Sequence, residues 1–432
     1  MIANSVQQFC NSVFSFLTGC EKNDGGLLVK KHTENLKSHG DISFTNTLLS
    51  WKCHLQKKLN AHSSQETLLE YIGKEPLDLV SESENWVLHV KKVQNVKGRI
   101  HMYLERTHAI RVGLTESVNI IVNLSQKMRA RKCKLLFDQH SNSDTGLTTL
   151  RVKYLSQVIE NLSSFICIDN NELINIFVTS KSTSVSPVGS KVVLCGTVLN
   201  SKTGLKESGI SSEDYLRIRQ DEMSLIAQHK YGVRVSTDCK WKQFIAHLGK
   251  SAVIFEMLQT KPSSAVKVNF ECGAGGSSKG AAFVLYNCAR LETIIRAYNE
   301  KVIHGMYPEL PPFEETDLSL LTHEDEWCLV FNFIMGLPSL LNSCVDMSGN
   351  SCEFRPHHVC NFLCGMVKVF SQYYRKVRIL TEPRKHLLPV MFARIHMLKI
   401  LNDNLKLCLE ILNIKSVSQM CCQFVSKLEK NN

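Results

Sequence analysis

A glycine-rich segment between residues 273 and 280 has the composition of a loop that binds phosphate. It follows a short extended piece and precedes a long amphipathic stretch, which is where the glycine loop of a nucleotide-binding protein lies. Such a loop needs a lysine after its last glycine, and then a serine or threonine whose hydroxyl holds magnesium. Here Lys279 is followed by Gly280, so no hydroxyl is in place for the metal. The segment therefore favours a connecting loop over a nucleotide site.

Cysteines and histidines are concentrated between residues 344 and 364, as in some zinc sites: Cys344, Cys352, His357, His358, Cys360 and Cys364. Structural zinc is usually held by pairs of ligands two to four residues apart. Only Cys360 and Cys364 approach that spacing, and both lie in a segment whose apolar residues already define a buried helix face. Cysteine packs there as a small hydrophobic residue. We therefore predict no metal and no cofactor.

The strongest electrostatic feature is a basic segment from Arg355 to Lys399, which holds nine Lys or Arg residues and a single carboxylate, Glu382. Cations that meet phosphates, next to aromatic rings that stack on unpaired bases, are what single-stranded RNA loops require. A solvated basic face is the alternative interpretation of the same pattern. The RNA interpretation assigns phosphate contacts or base stacking to ten residues: Arg355, Lys368, Tyr373, Tyr374, Arg375, Lys376, Arg378, Arg384, Lys385 and Arg394.

A second basic run, from Lys127 to Lys134, packs five cations into eight residues. Charge runs of this kind are usually solvated helix faces or loops. A contact with the RNA backbone is the alternative, and it would involve Lys127, Arg129, Arg131 and Lys132.

The composition is that of a globular protein of 432 residues with a formal net charge of +11, which favours a polyanionic partner. No run of about 18 apolar residues is present, so we expect no membrane span and no membrane partner. The 17 cysteines are scattered singly, and no secretory signal is recognisable at the N-terminus. We therefore expect free thiols in a reducing compartment, the cytoplasm or also the nucleus.

The pattern of apolar residues divides the chain into an α/β front half and an all-helical C-terminal part. Apolar and polar residues alternate around a turn at Lys97-Gly98, and this pattern predicts a hairpin. Apolar, β-branched runs predict strands at 174–179, 191–199 and 266–270. Helices are expected at 214–231, 241–258, 281–303, 327–341, 356–377 and 389–414, and the helix at 327–341 is expected to bend or stop near Pro338. We predict domains at 1–145, 146–264 and 265–432, the last a helical bundle.

Residues along the C-terminal helices resemble the DALR anticodon-binding domain of class I arginyl-tRNA synthetases. The matching pieces are Tyr286-Asn-Cys-Ala-Arg290, Leu337-Pro338, Pro356–Leu363, Phe370–Tyr374, Arg378–Leu380, Ala393-Arg394 and Leu409–Ile414. Asn413 stands where the family has a glycine. The resemblance implies a multi-domain, mainly α-helical protein whose C-terminal bundle has the synthetase anticodon-binding fold. It also implies arginine tRNA as the partner, recognised through its anticodon arm, rather than DNA.

The catalytic motifs of those synthetases are missing from this chain. The segment 193–206 resembles the end of a synthetase core, but no K-M-S-K-type loop follows it and no H-x-G-H motif occurs. Those histidines and lysines stabilise the charge that develops during amino-acid activation. The resemblance therefore implies a non-catalytic factor that presents arginine tRNAs to a methyltransferase forming 3-methylcytidine in the anticodon loop. A diverged synthetase or tRNA-modifying enzyme and a protein scaffold without RNA are the alternatives.

Overall fold

The computed structural model describes most of the chain. No helix in its described part has the length and apolar content needed to cross a membrane. The described cysteines are all free thiols, and most of them are buried. The described residues are 2, 4–20, 28–55, 67–127, 133–137, 146–165, 173–181, 186–231, 239–270, 276–347 and 352–416.

The N-terminal part is built on a four-stranded antiparallel sheet with the strand order β1-β2-β4-β3. The predicted hairpin is confirmed, because β3 and β4 are joined at Lys97 (φ 51°) and Gly98 (φ 74°). Two successive positive φ angles give the turn whose twist matches that of the flanking strands. The elements are α1 (Ser5–Thr18), β1 (Val29–Lys31), α2 (Leu36–His39), β2 (Ile42–Thr45), α3 (Leu68–Tyr71), α4 (Asp78–Ser83), β3 (Val90–Val96), β4 (Arg99–Leu104) and α5 (Arg106–Lys127).

The middle part contains a three-stranded parallel sheet, β5-β6-β7, and a parallel pair, β8-β9. The predicted strand at 174–179 is confirmed as β6. The predicted strand at 191–199 is instead two strands, because the carbonyl of Gly196 turns away from the sheet and accepts a hydrogen bond from Arg151 at 2.7 Å. The elements are β5 (Cys133–Phe137), α6 (Leu147–Ser163), β6 (Ile174–Thr179), β7 (Lys191–Leu194), β8 (Val198–Asn200), α7 (Ser212–Tyr231), α8 (Cys239–Leu258) and β9 (Val266–Val268).

The C-terminal part is helical, which confirms the predicted fold class. Its first helix begins at Gly276, earlier than predicted, so the second half of the glycine-rich segment is helical. The predicted interruption of the 327–341 helix near Pro338 is confirmed, because the chain forms a turn at Met335 and Gly336 and becomes helical again at Leu337. The π-helix that precedes this turn was not predicted. The elements are α9 (Gly276–Ile303), α10 (Glu324–Cys328), the π-helix (Leu329–Ile334), α11 (Leu337–Ser343), β10 (Val345–Asp346), β11 (Glu353–Phe354), α12 (Pro356–Lys376) and α13 (Leu388–Ile411).

The N-terminal sheet packs directly against the C-terminal helices. The indole of Trp327 donates a hydrogen bond to the buried carboxylate of Asp41 at 2.7 Å. The ammonium of Lys31 donates to the carbonyl of Phe331, in the π-helix, at 2.8 Å. Both contacts join residues about 300 positions apart in the chain. The described residues of the two parts therefore share one hydrophobic core, while the predicted domain boundaries at 145 and 264 stay predictions.

Candidate nucleic-acid interface

The basic segment is centred on α12 and the loop that connects it to α13. The helix is amphipathic, and Val359, Leu363 and Phe370 on one face are wholly buried. Lys368 and Arg375 are both exposed, and a separation of seven residues places them two turns apart on the same face. Basic residues in the last turn also interact favourably with the negative end of the helix dipole. The helix therefore presents a charged side to solvent while its apolar side fixes its position.

Apart from Lys376, which is described below, five of the ten predicted RNA contacts are exposed cations near the end of α12 and the start of α13. Arg384 pairs with Glu382 at 2.6 Å, but both side chains are more than half exposed, and such surface pairs stabilise a protein little. In the described part of the chain, the other four form no ion pair with a carboxylate. We call these five residues the basic rim: Lys368, Arg375, Arg378, Arg384 and Lys385.

Glu326 holds the helices beneath the basic rim together. Its carboxylate is wholly buried and accepts hydrogen bonds from the Tyr373 hydroxyl at 2.9 Å and from Arg394 Nε at 2.8 Å. It also accepts from the backbone N–H of His323 at 3.0 Å. Burial, followed by the nearby Glu326 charge, raises the pKa of Tyr373. One carboxylate thus fastens α10, α12 and α13 to one another.

This arrangement corrects the predictions for Tyr373 and Arg394. Tyr373 has no exposed surface, so its ring is not accessible for stacking on a base. The Arg394 side chain is only 17% exposed and its guanidinium is bound to Glu326. Both residues position the loop that carries the basic rim, and neither is placed to contact RNA.

Tyr374 is half-buried and lies against α9. The guanidinium of Arg290 sits 4.4 Å from the centre of the Tyr374 ring and 4.5 Å from that of Tyr286. One face of Tyr374 is therefore already occupied by a cation, which leaves less of the ring for the predicted stacking. The sequence analysis missed Arg290 as a partner of Tyr374, although its spacing of four residues from Tyr286 is typical of paired side chains on a helix.

Arg355 and Lys376 are both engaged by carboxylates. Arg355 precedes the first residue of α12 and pairs with Asp346 and Glu353, each at 2.9 Å. It lies about 30 Å from the other end of this 21-residue helix and therefore apart from the basic rim, and its predicted contact with RNA stays a prediction. Lys376 does lie beside the rim, and it pairs with Asp325 at 2.7 Å while its side chain stays 55% exposed. An RNA phosphate would compete with that carboxylate.

The second basic run falls largely outside the described residues. Lys127 is the last residue of α5, and its side chain is not described. Arg129, Arg131 and Lys132 lie outside the described part of the chain. Their predicted contact with RNA stays a prediction.

The cysteine and histidine cluster is organised as core packing. Cys344 and Cys360 are wholly buried, and burial raises the pKa of both thiols. His357 and His358 pack against each other with ring centres 4.4 Å apart. Across the described residues, no group of His, Cys, Asp and Glu side chains has an arrangement that could hold a metal ion.

The end of α13 explains the asparagine that replaces the family's glycine. Asn413 has a φ of 57°, a left-handed conformation that asparagine adopts more readily than most residues. The backbone N–H of Ile414 bonds to the carbonyl of Leu409 at 2.9 Å, which closes the helix. Asn413 therefore makes the same helix end that a glycine would make.

Comparisons with known proteins agree with this architecture. Residues 284–420 match the family model of the DALR anticodon binding domain. The chain is 33% identical over 240 residues to "DALR anticodon-binding domain-containing protein 3" of Danio rerio, and 32% identical over 238 residues to the Mus musculus protein of that name. These alignments cover 53% and 54% of this chain, but only 42% and 44% of the relatives. Over 177 residues, 41% of this chain and 28% of the relative, it is 28% identical to an arginine–tRNA ligase of Salinibacter ruber.

Solved structures extend the likeness of the fold to the front half. The arginyl-tRNA synthetase of Thermus thermophilus aligns with a TM-score of 0.53 at 11% identity, covering 95% of this chain and 99% of that chain. The Plasmodium falciparum enzyme aligns with a TM-score of 0.55 at 10% identity, covering 96% and 99%. The chain therefore has an arginyl-tRNA-synthetase-like fold, and within it residues 284–420 match the DALR anticodon binding domain.

Proposed function

We propose that this protein binds arginine tRNA and that the basic rim contacts the backbone of the anticodon arm. The observation that carries this proposal is the orientation of charge around the loop between α12 and α13. The five rim cations face solvent on α12 and in this loop, where Glu382 pairs with one of them, Arg384, while the carboxylate of Glu326 is wholly buried and bound to Tyr373 and Arg394. The rim also lies inside the segment that matches the anticodon-binding family model.

Exposed, unpaired cations are suited to binding RNA by releasing counterions from phosphates. Each phosphate that is neutralised makes the binding constant more dependent on salt. Cations held in buried ion pairs contribute little to this effect, because their partners would have to be desolvated or replaced. The rim residues Lys368, Arg375, Arg378 and Lys385 carry most of the proposed contact, and Lys376 joins them when phosphate displaces Asp325.

The protein acts as an adaptor that does not activate arginine itself. The absence of the H-x-G-H and K-M-S-K-type motifs from the sequence supports this part of the proposal. The likeness to DALR anticodon-binding domain-containing protein 3 supports a role in presenting arginine tRNA to a separate methyltransferase that forms 3-methylcytidine in the anticodon loop. The proposed location is the cytoplasm or also the nucleus.

A salt titration of tRNA binding tests the site. The variant Arg375→Gln/Arg378→Gln is compared with wild type by fluorescence anisotropy on an arginine tRNA transcript. We expect weaker binding and a salt slope smaller by about two units, since two phosphate contacts are removed. The matched control, Lys153→Gln/Lys250→Gln, removes two exposed cations from α6 and α8 and leaves the slope unchanged. Equal slopes for wild type and the rim variant would contradict the site assignment.

Two activity measurements separate the adaptor from the enzyme alternative. The purified chain is given arginine, ATP and tRNA, and arginine-dependent exchange of pyrophosphate into ATP is measured. No exchange is expected, and any exchange would overturn the adaptor proposal. In parallel, a 3-methylcytidine methyltransferase is assayed on arginine tRNA with and without the chain, where stimulation by wild type but not by the rim variant is expected.

A further inference from the structure

The outer face of the N-terminal sheet carries a group of basic and imidazole side chains that the sequence analysis did not single out. Along β4, Ile100 and Met102 are wholly buried in the core, and the alternation of a strand turns Arg99 and His101 to the opposite face. The sheet register places Ser43 of β2 opposite His101 of β4 and opposite Lys30 of β1. His32 and His39 complete the group.

The three imidazole rings surround one small area. Their centres are 6.0 Å apart for His32 and His39, 6.0 Å for His32 and His101, and 6.4 Å for His39 and His101. The rings are held in place: His32 Nε2 lies 2.7 Å from Ser43 Oγ, and His101 Nδ1 donates to the carbonyl of His39 at 2.6 Å. Arg99 Nε donates to the same Ser43 hydroxyl at 2.9 Å.

In the described part of the chain, none of these basic and imidazole side chains forms an ion pair with a carboxylate. The charged and titratable groups that face His32 are Lys30 on its own strand, His39 from α2, and Arg99 and His101 from β4. Burial, followed by these four neighbours, lowers the pKa of His32 to about 4. Groups that carry or can gain positive charge are thus assembled without a counter-charge, and a bound anion would relieve their repulsion.

We propose that Lys30, His32, His39, Arg99 and His101 form a binding site for a phosphate group. The guanidinium and the ammonium supply charge, and the imidazole N–H groups supply directed hydrogen bonds. A metal cation fits this group poorly: Lys30 and Arg99 would repel it, and one nitrogen each of His32 and His101 is already occupied by Ser43 and by the His39 carbonyl. The phosphate belongs to a tRNA backbone, in which case this inference rests on the proposed function, or it is a free phosphate.

Phosphate binding at this site is linked to proton uptake. An anion beside His32 favours the charged imidazole and therefore raises its pKa above the value of about 4 in the free protein. Binding then takes up a proton at any pH between the free and the bound pKa. Affinity for phosphate consequently increases as pH falls through that window, by up to about tenfold per pH unit for each proton taken up.

The first test uses inorganic phosphate and the full chain. Histidine ring carbon–proton resonances are recorded by NMR during phosphate titrations at several pH values, at constant ionic strength set with chloride. We expect saturable shifts of the His32, His39 and His101 signals and a higher pKa of His32 with phosphate. The variants His39→Gln and Arg99→Gln weaken these shifts, whereas Lys153→Gln on α6 leaves them unchanged. Circular dichroism melting confirms that each variant is folded.

The second test identifies the source of the phosphate and separates this inference from the proposed function. Affinity for arginine tRNA is measured between pH 8 and pH 5.5 for wild type, for His39→Gln/Arg99→Gln and for the rim variant. We call His39→Gln/Arg99→Gln the sheet variant. If tRNA supplies the phosphate, the sheet variant loses the increase in tRNA affinity on acidification, while the rim variant keeps that increase although it binds tRNA more weakly. Saturable shifts with inorganic phosphate, together with unchanged tRNA binding by the sheet variant, assign the site to a free phosphate. If inorganic phosphate causes no saturable shifts and the sheet variant keeps the increase in tRNA affinity on acidification, the inference is overturned. The salt-slope result for the basic rim would not be affected by that outcome.

Discussion

At the scale of single residues, Glu326 determines how the basic rim is held. Its carboxylate has no exposed surface and binds groups from α12, α13 and the N-terminus of α10. A buried charge of this kind is tolerated because the Arg394 guanidinium and two further donors compensate for its lost hydration. Asp325, its neighbour in sequence, is only 17% exposed, but it pairs with Lys376, whose side chain is 55% exposed.

The substitution Glu326→Gln should destabilise the protein strongly. It removes the charge that balances the Arg394 guanidinium, whose side chain is only 17% exposed. We expect the free energy of unfolding to fall by about 3 kcal/mol, measured by urea denaturation. Asp325→Asn is the control and should change that free energy by less than about 1 kcal/mol, since the Lys376 side chain, its partner, is 55% exposed and keeps access to water. Equal effects of the two substitutions would contradict the role given to Glu326.

Asp325→Asn should also strengthen tRNA binding. Removing the carboxylate releases Lys376 from its 2.7 Å ion pair and makes the ammonium available to phosphate. An increase in affinity of a few-fold is expected in anisotropy titrations, with a salt slope larger by about one unit. The double variant Asp325→Asn/Lys376→Gln should lose the gain. A gain that persists in the double variant would show that Lys376 is not the cation involved.

At the scale of secondary structure, the π-helix joins the front half to the bundle. Lys31 donates to the Phe331 carbonyl, and the Asn332 side-chain amide donates to the Thr33 carbonyl at 2.8 Å. A π-helix spaces its hydrogen bonds differently from an α-helix and is rarely longer than one turn. The chain returns to α-helix after Gly336, where the backbone carbonyl of Asn332 approaches closely.

Gly336→Ala should be clearly more destabilising than the same change in an ordinary helix. A Cβ at residue 336 would lie 2.0 Å from the Asn332 oxygen, so the backbone must shift. We expect a loss of about 2 kcal/mol or more in the free energy of unfolding. The control is Gly280→Ala in α9, where the nearest atom is Cys364 Sγ at 3.8 Å and a gain of up to about 1 kcal/mol is expected. If Gly336→Ala left the free energy of unfolding unchanged, the π-helix would have to relax easily.

The elements that could be predicted are those in which nearby residues favour the same secondary structure that the folded protein adopts. The turn at Lys97-Gly98 and the strand at 174–179 follow from turn chemistry and β-branched residues close to each other in sequence. Pro338 predicts a break in the segment 327–341, but the helical pattern of that segment gives no sign of the π-helix that precedes the break. A contact of the π-helix with Lys31, some 300 residues away, likewise has no local signal.

The candidate site shows the same limit. The sequence identified the cationic residues correctly but could not show which of them pair with acids. Tyr373 and Arg394 are turned inward by Glu326, which lies 47 and 68 positions away in the chain. Arg355 is held by Asp346 and Glu353 at the far end of α12. The charge pattern of α12 does not show these acidic partners, because they lie elsewhere in the chain or are brought close only by a short hairpin.

At the scale of the whole molecule, the front half and the helical part form one packed unit. Asp41 is 1% exposed and accepts hydrogen bonds from Trp327 at 2.7 Å and from the backbone N–H of Leu104 at 2.8 Å. Burial, partly opposed by these two bonds, raises the pKa of Asp41 from 3.8 to about 6. The contact between the two parts of the protein is therefore sensitive to pH.

The contribution of Asp41 to stability should decrease as pH rises through 6. The folded protein favours the protonated carboxyl, because the folded pKa of about 6 is above the ordinary value of 3.8. Stability from this group is therefore greatest below pH 3.8 and is lost as pH rises through 6. Between pH 5 and pH 7.5 the free energy of unfolding of wild type should fall by about 1 kcal/mol relative to Asp41→Asn. A constant difference between the two proteins would contradict the raised pKa.

The central claim is that the basic rim contacts the anticodon arm of arginine tRNA. The most direct measurement is nuclease and hydroxyl-radical footprinting of an arginine tRNA with wild type, with a variant in which all five rim cations are glutamine, and with the control Lys153→Gln/Lys250→Gln. We predict that wild type and the control protect the backbone of the anticodon arm and that the rim variant loses this protection. Protection of the anticodon arm that is equal in all three proteins, or confined to another part of the tRNA in wild type, would contradict the account.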